Sequence, residues 1–183
     1  RRRNVDVVRL HSGEPALYGA IGEQMRELDK LGIEYEVIPG ISAFQAAAAA
    51  LRKELTAPEV SQTVILTRTA GRTPMPPEQE LSRLASLRAT LCIFLSTPKI
   101  AEIAQVLSGS YGPDCPAAVG YHVSWPDQKI VTGTLRDIAG KVAEAGFGKT
   151  AIILVGPALG TVEHASKLYD KHFTHEYRRG EPE

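Results

Sequence analysis

The stretch "VVRLHSGEPALYGAIGEQM", residues 7–25, predicts a strand, a turn and a helix in succession. Apolar residues from Val5 to His11 hardly alternate with polar ones, which indicates a strand buried on both faces. A helix is predicted from Leu17 to Leu31, ended by Gly32, with an apolar face made by Ile21, Met25 and Leu28. This order of elements is the start of an α/β fold.

The same pattern repeats in the following residues. "IEYEVIPG", residues 33–40, predicts a second strand that Pro39-Gly40 closes. Ser42 then begins a helix, and Gln45 three residues later fits a capping box. A β-α-β-α order is typical of a mostly parallel sheet.

A second α/β unit is predicted after a linker at residues 54–62. Its predicted strands are 63–68, 90–96, 116–123, 129–135 and 151–156; its predicted helices are 78–87, 135–145 and one beginning at Thr97-Pro98, with Thr97 as N-cap. We therefore expect a two-domain α/β fold. A partial N-terminal α/β domain takes residues 1–57, and a complete C-terminal α/β domain takes residues 58–183, with a polar tail from about 163.

Composition limits the class of function. The 21 basic and 21 acidic side chains balance, which argues against a nucleic-acid partner. No apolar run is long enough to span a bilayer and no secretory signal is visible, so we expect no membrane partner and a cytoplasmic location. Cys92 and Cys115 lack metal-ligand spacing and are expected to be reduced, buried thiols. The five histidines have no companion ligands, so no metal site is expected.

Two turns and one loop are the candidate sites that the residues themselves indicate. Ser12-Gly13-Glu14-Pro15 and Ser42-Ala43 each follow a predicted strand, where ligands commonly bind; simple helix capping explains them equally well. Arg68 and Arg72 flank Gly71 in a Pro-rich loop. Two guanidinium groups can clamp carboxylates, although a solvated loop is the plainer interpretation. No arrangement of Ser, Cys, His and Asp indicates a nucleophile.

Several stretches together resemble the tetrapyrrole methylases: "VVRLHSGEPALYGAIGEQ", "IEYEVIPGISAFQAAAAALRKELTAPEVSQTVILTR", "GRTPMP", "PAAVGYHVSWPDQKIVTGTL" and "AIILVGPALG". The resemblance covers nearly the whole chain. It is sharpest to the branch that methylates carbon-11 of precorrin-4 or cobalt-precorrin-4 in cobalamin synthesis. It implies an S-adenosylmethionine-dependent methyltransferase that is a homodimer and binds its donor between two domains.

The resemblance also implies roles for particular residues. Those that fall on donor-binding positions of the family are Ser12, Gly13, Glu14, Leu17, Ser42, Ala43, Leu95, Ala117, Ala118, Thr150 and Ala151. Arg68 and Arg72 are expected to hold carboxylates of the tetrapyrrole. No catalytic acid or base is identified.

The chain departs from the family pattern in two ways. Its first turn has Gly13-Glu14 where the family usually has Gly-Asp. The family's Gly-x-Gly-Pro-Gly-Asp turn is not present in this sequence, so we expect that an N-terminal portion is lacking. Two alternatives stay open: a non-catalytic binding or assembly fragment, and a family methyltransferase acting on another tetrapyrrole.

Overall fold

The computed structural model describes residues 5–71, 73–161, 172–174, 176, 178 and 179. The chain divides into two compact units, Arg1–Ala46 and Ala47–Glu183. The division falls inside a helix, whereas the sequence predicts a domain boundary between residues 57 and 58. That domain boundary stays a prediction.

The first unit contains helix α1, Ile21–Lys30, and the start of helix α2, Ala43–Leu51. The two strands predicted here, residues 5–11 and 33–40, are wrong: the described residues 5–46 form no strand. Val7, Val8 and Leu10 are 80–88% exposed instead of buried. A β-strand depends on hydrogen bonds to a neighbouring strand, and apolar periodicity does not reveal whether a neighbour is present.

Helix α1 starts later than predicted. Residues 15–18 form a turn, and Tyr18 and Ala20 have left-handed backbones with φ of 57° and 53°. A left-handed residue interrupts the right-handed helix, so regular hydrogen bonding begins only at Ile21. At the other end, Gly32 has φ of 58° and its N–H donates to Asp29 O at 3.0 Å, which confirms the predicted stop.

The second unit contains the rest of α2 and, in its described residues, a mixed sheet with three further α-helices. The elements are β1 Val64–Arg68, α3 Leu81–Ala85, β2 Thr90–Phe94, α4 Ile100–Tyr111, β3 Pro116–Tyr121, β4 Lys129–Thr134, α5 Ile138–Glu144 and β5 Ala151–Val155. The strand order is β1-β2-β5-β3-β4. Strands β1 and β2 are parallel, and the other neighbouring pairs are antiparallel.

The core of this unit lies between one face of the sheet and helices α3, α4 and α5. It includes the buried residues Leu91, Ile93, Ile103, Leu107, Val119, Ile138, Ile153 and Val155. The apolar stripe of α4, which includes Ile100, Ile103, Ala104 and Leu107, is buried. The N-terminus of this helix differs from the prediction: Thr97–Lys99 form a 3₁₀ turn with Ser96 at its N-cap, and Lys99 rather than Thr97 is the N-cap of α4. On the opposite face of the sheet, the Cβ of Ala47 packs 3.5 Å from where a Cβ on Gly120 would lie.

Candidate functional site

Two turns of the first unit are joined by one carboxylate. We call Ser12–Pro15 the first turn and Pro39–Ala43 the second turn. Glu14 Oε1 accepts a hydrogen bond from the N–H of Ala16 at 2.9 Å. Glu14 Oε2 accepts one from the N–H of Gly40, also at 2.9 Å, across 26 residues of sequence. The side chain therefore bridges the turns rather than capping α1, which begins seven residues later.

The backbones of the two turns also touch. A Cβ on Gly40 would overlap the carbonyl oxygen of Gly13, so only glycine fits at this position without a shift of the backbone. Gly13 itself has φ of 69°, and a Cβ placed there would lie 3.6 Å from the carbonyl oxygen of Ile41. Gly40 is thus required by the close approach of the two backbones, whereas Gly13 is favoured by its left-handed conformation.

The environment of Glu14 keeps its carboxyl group ionised. Hydrogen bonds from the N–H groups of Ala16 and Gly40 lower the pKa of Glu14, because they stabilise the charged form. A carboxyl group with a lowered pKa is a poor proton donor near neutral pH. Its chemistry suits holding backbone amides, not general acid catalysis.

The second turn leads directly into helix α2. The N–H of Ser42 donates to Gln45 Oε1 at 3.1 Å, which is the side-chain half of the predicted capping box. Ser42 is 3% exposed, so it is fixed at the base of the turn. Ser12 and Gly13 of the first turn are exposed, and Leu17 is half-buried, with its N–H donating to Glu14 O at 3.1 Å.

In the second unit, three predicted donor residues lie at the same end of the sheet, where strands begin or terminate. The carboxyl end of β2 lies beside the amino end of β5, because Ile93 pairs with Ile153 in an antiparallel register. This brings Leu95 close to Thr150 and Ala151. We call this boundary, where β1, β2 and β3 end and β5 begins, the site edge.

Two residues at the site edge have strained backbones. Leu95 has φ of 56° and is 73% exposed, and Thr150 has φ of 65°. Left-handed backbone in a non-glycine residue costs free energy and concentrates at functional sites. An exposed leucine held in this conformation suits contact with a ligand better than it suits folding.

The hydroxyl groups of Ser96 and Thr97 connect the strand ends, a role that was not predicted for either residue. Ser96 Oγ accepts a hydrogen bond from the N–H of Thr69 at 2.8 Å and donates to Phe94 O at 2.7 Å. Thr97 Oγ1 donates to Ala151 O at 3.4 Å. Ser96 and Thr97 are both buried, so they fix Leu95 relative to β1 and β5. Two adjacent small polar residues, shortly after a buried strand, were the sequence signal from which this role could have been predicted.

Ala117 and Ala118 do not lie at the site edge. Ala117 pairs with Val155 and Gly133, toward the opposite end of β3, and the two alanines are 3% and 2% exposed. Strand β3 has neighbours on both sides, so the ladders engage its backbone polar groups. The residue of β3 that pairs with Ala151 is Tyr121. The donor roles of Ala117 and Ala118 stay predictions, and the structure does not place these two residues at the site edge with Leu95, Thr150 and Ala151.

An aromatic stack follows β3 into its hairpin turn. The rings of Tyr121 and His122 are 3.8 Å apart, Tyr121 also stacks on Phe147 at 5.1 Å, and His122 contacts Trp125 at 4.6 Å. The N–H of His122 donates to Thr150 O at 3.1 Å, and its Nδ1 lies 2.8 Å from Asp127 Oδ2. The stack therefore holds the start of the hairpin against the start of β5, at the site edge.

The guanidinium group of Arg68 is hydrogen-bonded to the backbone of its own loop. It donates to the carbonyl oxygens of Thr69 at 3.2 Å, Thr73 at 3.3 Å and Pro74 at 3.0 Å. Lys99 Nζ donates to Ala70 O of the same loop at 2.9 Å. Arg72, the second predicted carboxylate ligand, lies outside the described residues.

A cavity of about 300 Å³ opens beside this loop. Its lining includes Arg68, Met75, Lys99 and Glu102, so it combines both charge signs with apolar surface. A substrate carboxylate entering here would meet an arginine whose guanidinium already holds three backbone carbonyls.

Neither cysteine is suited to nucleophilic chemistry. Burial raises the pKa of Cys92 to about 12 and that of Cys115 to about 11. Both are buried free thiols, as predicted. Within the described part of the chain, no three His, Cys, Asp or Glu side chains cluster as metal ligands. Among those same residues, no helix has the length and apolar character needed to cross a membrane.

Comparison with known proteins identifies close relatives. The chain is 54% identical over 175 residues to the cobalt-precorrin-4 C(11)-methyltransferase of Methanocaldococcus jannaschii, covering 94% of this chain and 68% of that relative. It is 55% identical over 181 residues to the precorrin-4 C(11)-methyltransferase of Pseudomonas aeruginosa, covering 98% of this chain and 72% of that relative.

A solved structure agrees with these relatives. The crystal structure of a cobalt-precorrin-4 methyltransferase, a cobalamin biosynthetic enzyme, superposes with a TM-score of 0.82 at 43% identity. The match covers 85% of this chain and 65% of that one. A family model described as Tetrapyrrole (Corrin/Porphyrin) Methylases matches residues 1–139. The chain therefore belongs to the tetrapyrrole methylase family.

Proposed function

We propose that this chain carries the donor and substrate residues of a methyltransferase acting on carbon-11 of precorrin-4 or cobalt-precorrin-4, in cobalamin biosynthesis. The observation that carries the proposal is the 54–55% identity to two relatives named for this reaction, over 94–98% of the chain. The methyl donor is S-adenosylmethionine, and the product set is the methylated tetrapyrrole and S-adenosylhomocysteine.

Each unit, taken by itself, has residues whose properties suit contact with such a donor. In the first unit, Gly13 leaves room for close approach of a ligand to the backbone, and Ser12 beside it is exposed. In the second unit, the exposed side chain of Leu95 offers apolar contact next to the backbone of Thr150 and Ala151. These residues bind and orient the donor, and the same proposal covers Leu17, Ser42, Ala43, Ala117 and Ala118, which the family resemblance also assigns to it. Glu14 belongs to the donor-binding turn, but both of its carboxylate oxygens are engaged by the N–H groups of Ala16 and Gly40.

The chemistry proposed needs no enzyme nucleophile. When bound, S-adenosylmethionine supplies a sulfonium methyl group that a nucleophilic ring carbon can attack directly. The contribution of the protein is then to hold the reacting groups in line, an effect that can supply several kcal/mol of barrier reduction (about 7–11 kcal/mol at best). This agrees with two cysteines that burial keeps protonated.

The arginine loop is the proposed substrate side. We propose that Arg72 binds a carboxylate of the tetrapyrrole and that Arg68 keeps the loop in shape, since its guanidinium group is bonded to the carbonyls of Thr73 and Pro74. A planar guanidinium suits bidentate carboxylate recognition. Arg68 reaches the substrate directly only if it gives up these bonds.

The test is methyl transfer with a defined substrate. The protein is incubated with S-adenosylmethionine and precorrin-4 or its cobalt form, and mass spectrometry follows the tetrapyrrole. Gain of one methyl group is expected. Methylation of uroporphyrinogen III but not of precorrin-4 would move the activity to another tetrapyrrole. Tight S-adenosylhomocysteine binding with no methylation of either substrate would favour a binding or assembly module.

We also propose that the protein works as a homodimer in the cytoplasm, on the basis of the family resemblance. Light scattering coupled to size-exclusion chromatography is expected to give twice the mass of the chain. A monomer mass at all concentrations tested would contradict the dimer.

A further inference from the structure

The Glu14 carboxylate makes hydrogen bonds within the protein that its assignment as a donor ligand does not explain. One of its oxygens holds the N–H of Ala16 within the first turn, and the other holds the N–H of Gly40 in the second turn, each at 2.9 Å. Both oxygens are thus engaged by the protein itself. A carboxylate in this position orients backbone rather than presenting a charge to a ligand.

The bridge acts where the two turns are already in backbone contact. Gly13 and Gly40 pass so closely that a side chain on Gly40 would overlap the carbonyl oxygen of Gly13. Gly40 is exposed, so its N–H could otherwise bond to water, and in the structure the Glu14 carboxylate takes the place of that water as the acceptor.

Each turn carries residues assigned to the donor. Ser12 and Gly13 belong to the first turn, and Ser42 and Ala43 to the second. The bond between Glu14 and Gly40 fixes the distance between these two pairs. An error of about 1 Å in such a distance is enough to weaken binding and transfer.

We propose that Glu14 is a positioning residue that locks the first turn to the second turn through Gly40 and acts on donor binding through this spacing, without touching the donor. The inference rests on the proposed function for its donor, but the bridge itself does not. It assigns a role to the longer side chain at a position where the family usually has aspartate.

The bridge is tested without any ligand. In a two-dimensional amide NMR spectrum, the resonances of Ala16 and Gly40 are expected to shift together as the pH is lowered and Glu14 is protonated. Glu14→Gln should abolish this shared titration, and Glu23→Gln, which removes the same charge from the exposed first turn of α1, should leave it intact. Independent or absent titration of Gly40 would overturn the bridge.

The role in donor binding is tested by calorimetry of the full chain with S-adenosylhomocysteine. Glutamine offers one acceptor oxygen to two N–H groups, so Glu14→Gln should raise the Kd roughly tenfold or more, whereas Glu14→Asp should stay within about threefold if it restores the bridge. Glu23→Gln should bind like the unchanged chain. An unaltered Kd in Glu14→Gln, with the amide titration lost, would overturn the positioning role.

A failure of the proposed function gives a different result. If the unchanged chain does not bind S-adenosylhomocysteine, the donor part of the inference is overturned together with the proposed function. The amide titration then still decides whether Glu14 joins the turns.

Discussion

Glu14 and Gly40 are 26 residues apart in sequence, yet the carboxylate of one accepts the backbone N–H of the other at 2.9 Å. This bond joins two turns that the sequence presents as separate motifs. Because the same carboxylate holds Ala16, it sets both the shape of the first turn and its distance from the second. Substitutions at either end of the bond therefore have predictable effects.

Gly40→Ala should destabilise the first unit. The added Cβ meets the carbonyl oxygen of Gly13, a backbone atom that cannot turn away, so the turns must separate. Overpacking of this kind costs about 1–3 kcal/mol. Chemical denaturation should show the loss. Gly22→Ala is the matched control, since the nearest atom to its Cβ would be Arg26 Nη1 at an ordinary contact distance of 3.8 Å, and alanine should stabilise α1 by about 0.5–1 kcal/mol. Equal effects of the two changes would contradict the contact.

The contribution of Glu14 to stability should depend on pH. Its pKa is lowered in the folded chain by the two N–H donors, so the folded state favours the charged form. This stability is present above the unfolded pKa of about 4.3 and is lost as pH falls through the lower folded pKa. Urea denaturation should therefore separate the chain from Glu14→Gln at about pH 7 and bring them together near about pH 2–3. A difference that grows on acidification would contradict the assignment.

Leu95→Gly should stabilise the folded chain and weaken donor binding. Relief of the left-handed backbone stabilises the folded chain by about 1–2 kcal/mol, and the greater unfolded-state entropy of glycine costs about 0.5–1 kcal/mol, which leaves a net gain of about 0–1.5 kcal/mol. Little burial is lost, because Leu95 is 73% exposed. The Kd for S-adenosylhomocysteine should nevertheless rise. Arg88→Gly relieves a similar φ of 50° away from the site edge and should leave the Kd unchanged.

Arg68→Ala should open the loop that precedes α3. Three hydrogen bonds to the carbonyls of Thr69, Thr73 and Pro74 are removed, at a cost of about 1–2 kcal/mol because the group is partly solvated. Hydrogen exchange of residues 69–76 should accelerate, and the KM for the tetrapyrrole should rise while donor affinity stays constant. Arg136→Ala, which removes an exposed ion pair with Asp114, serves as control. A parallel loss of donor affinity would contradict a role confined to the loop.

The two thiols should be inert in the folded chain. With pKa values of about 12 and about 11, Cys92 and Cys115 have thiolate fractions near about 1 in 10,000 and 1 in 1,000 at about pH 8. A disulfide reagent should modify neither until guanidinium unfolds the protein, and then both. Rapid modification of one thiol in the native chain would show that its pKa is lower.

Local pattern was enough to predict the second unit. Its five strands follow from apolar runs bounded by turn residues, which are local signals. Pairing is not local: the mixed sheet order and the antiparallel contacts of β5 are set by partners far apart in sequence. The same limit explains the first unit, where residues 5–11 and 33–40 have strand-like composition without a strand partner in the described chain.

The sequence predicted where the candidate site residues lie better than it predicted what each residue does. Gly13, Glu14 and Ser42 were singled out as turn residues, and they are neighbours in the structure. Their relation through Gly40 depends on a contact between segments that no spacing rule contains. Ser96 was not singled out and Thr97 was predicted only as an N-cap, because their hydroxyls bond to strands that become adjacent only on folding.

The central claim, methyl transfer to carbon-11, is tested most directly with a donor labelled with ¹³C in its methyl group. The protein is supplied with labelled S-adenosylmethionine and cobalt-precorrin-4, and ¹³C NMR of the product identifies the carbon that carries the label. The account predicts one labelled methyl group on carbon-11. A labelled methyl on a different ring carbon, or an unlabelled tetrapyrrole recovered from protein that binds both ligands, would contradict it.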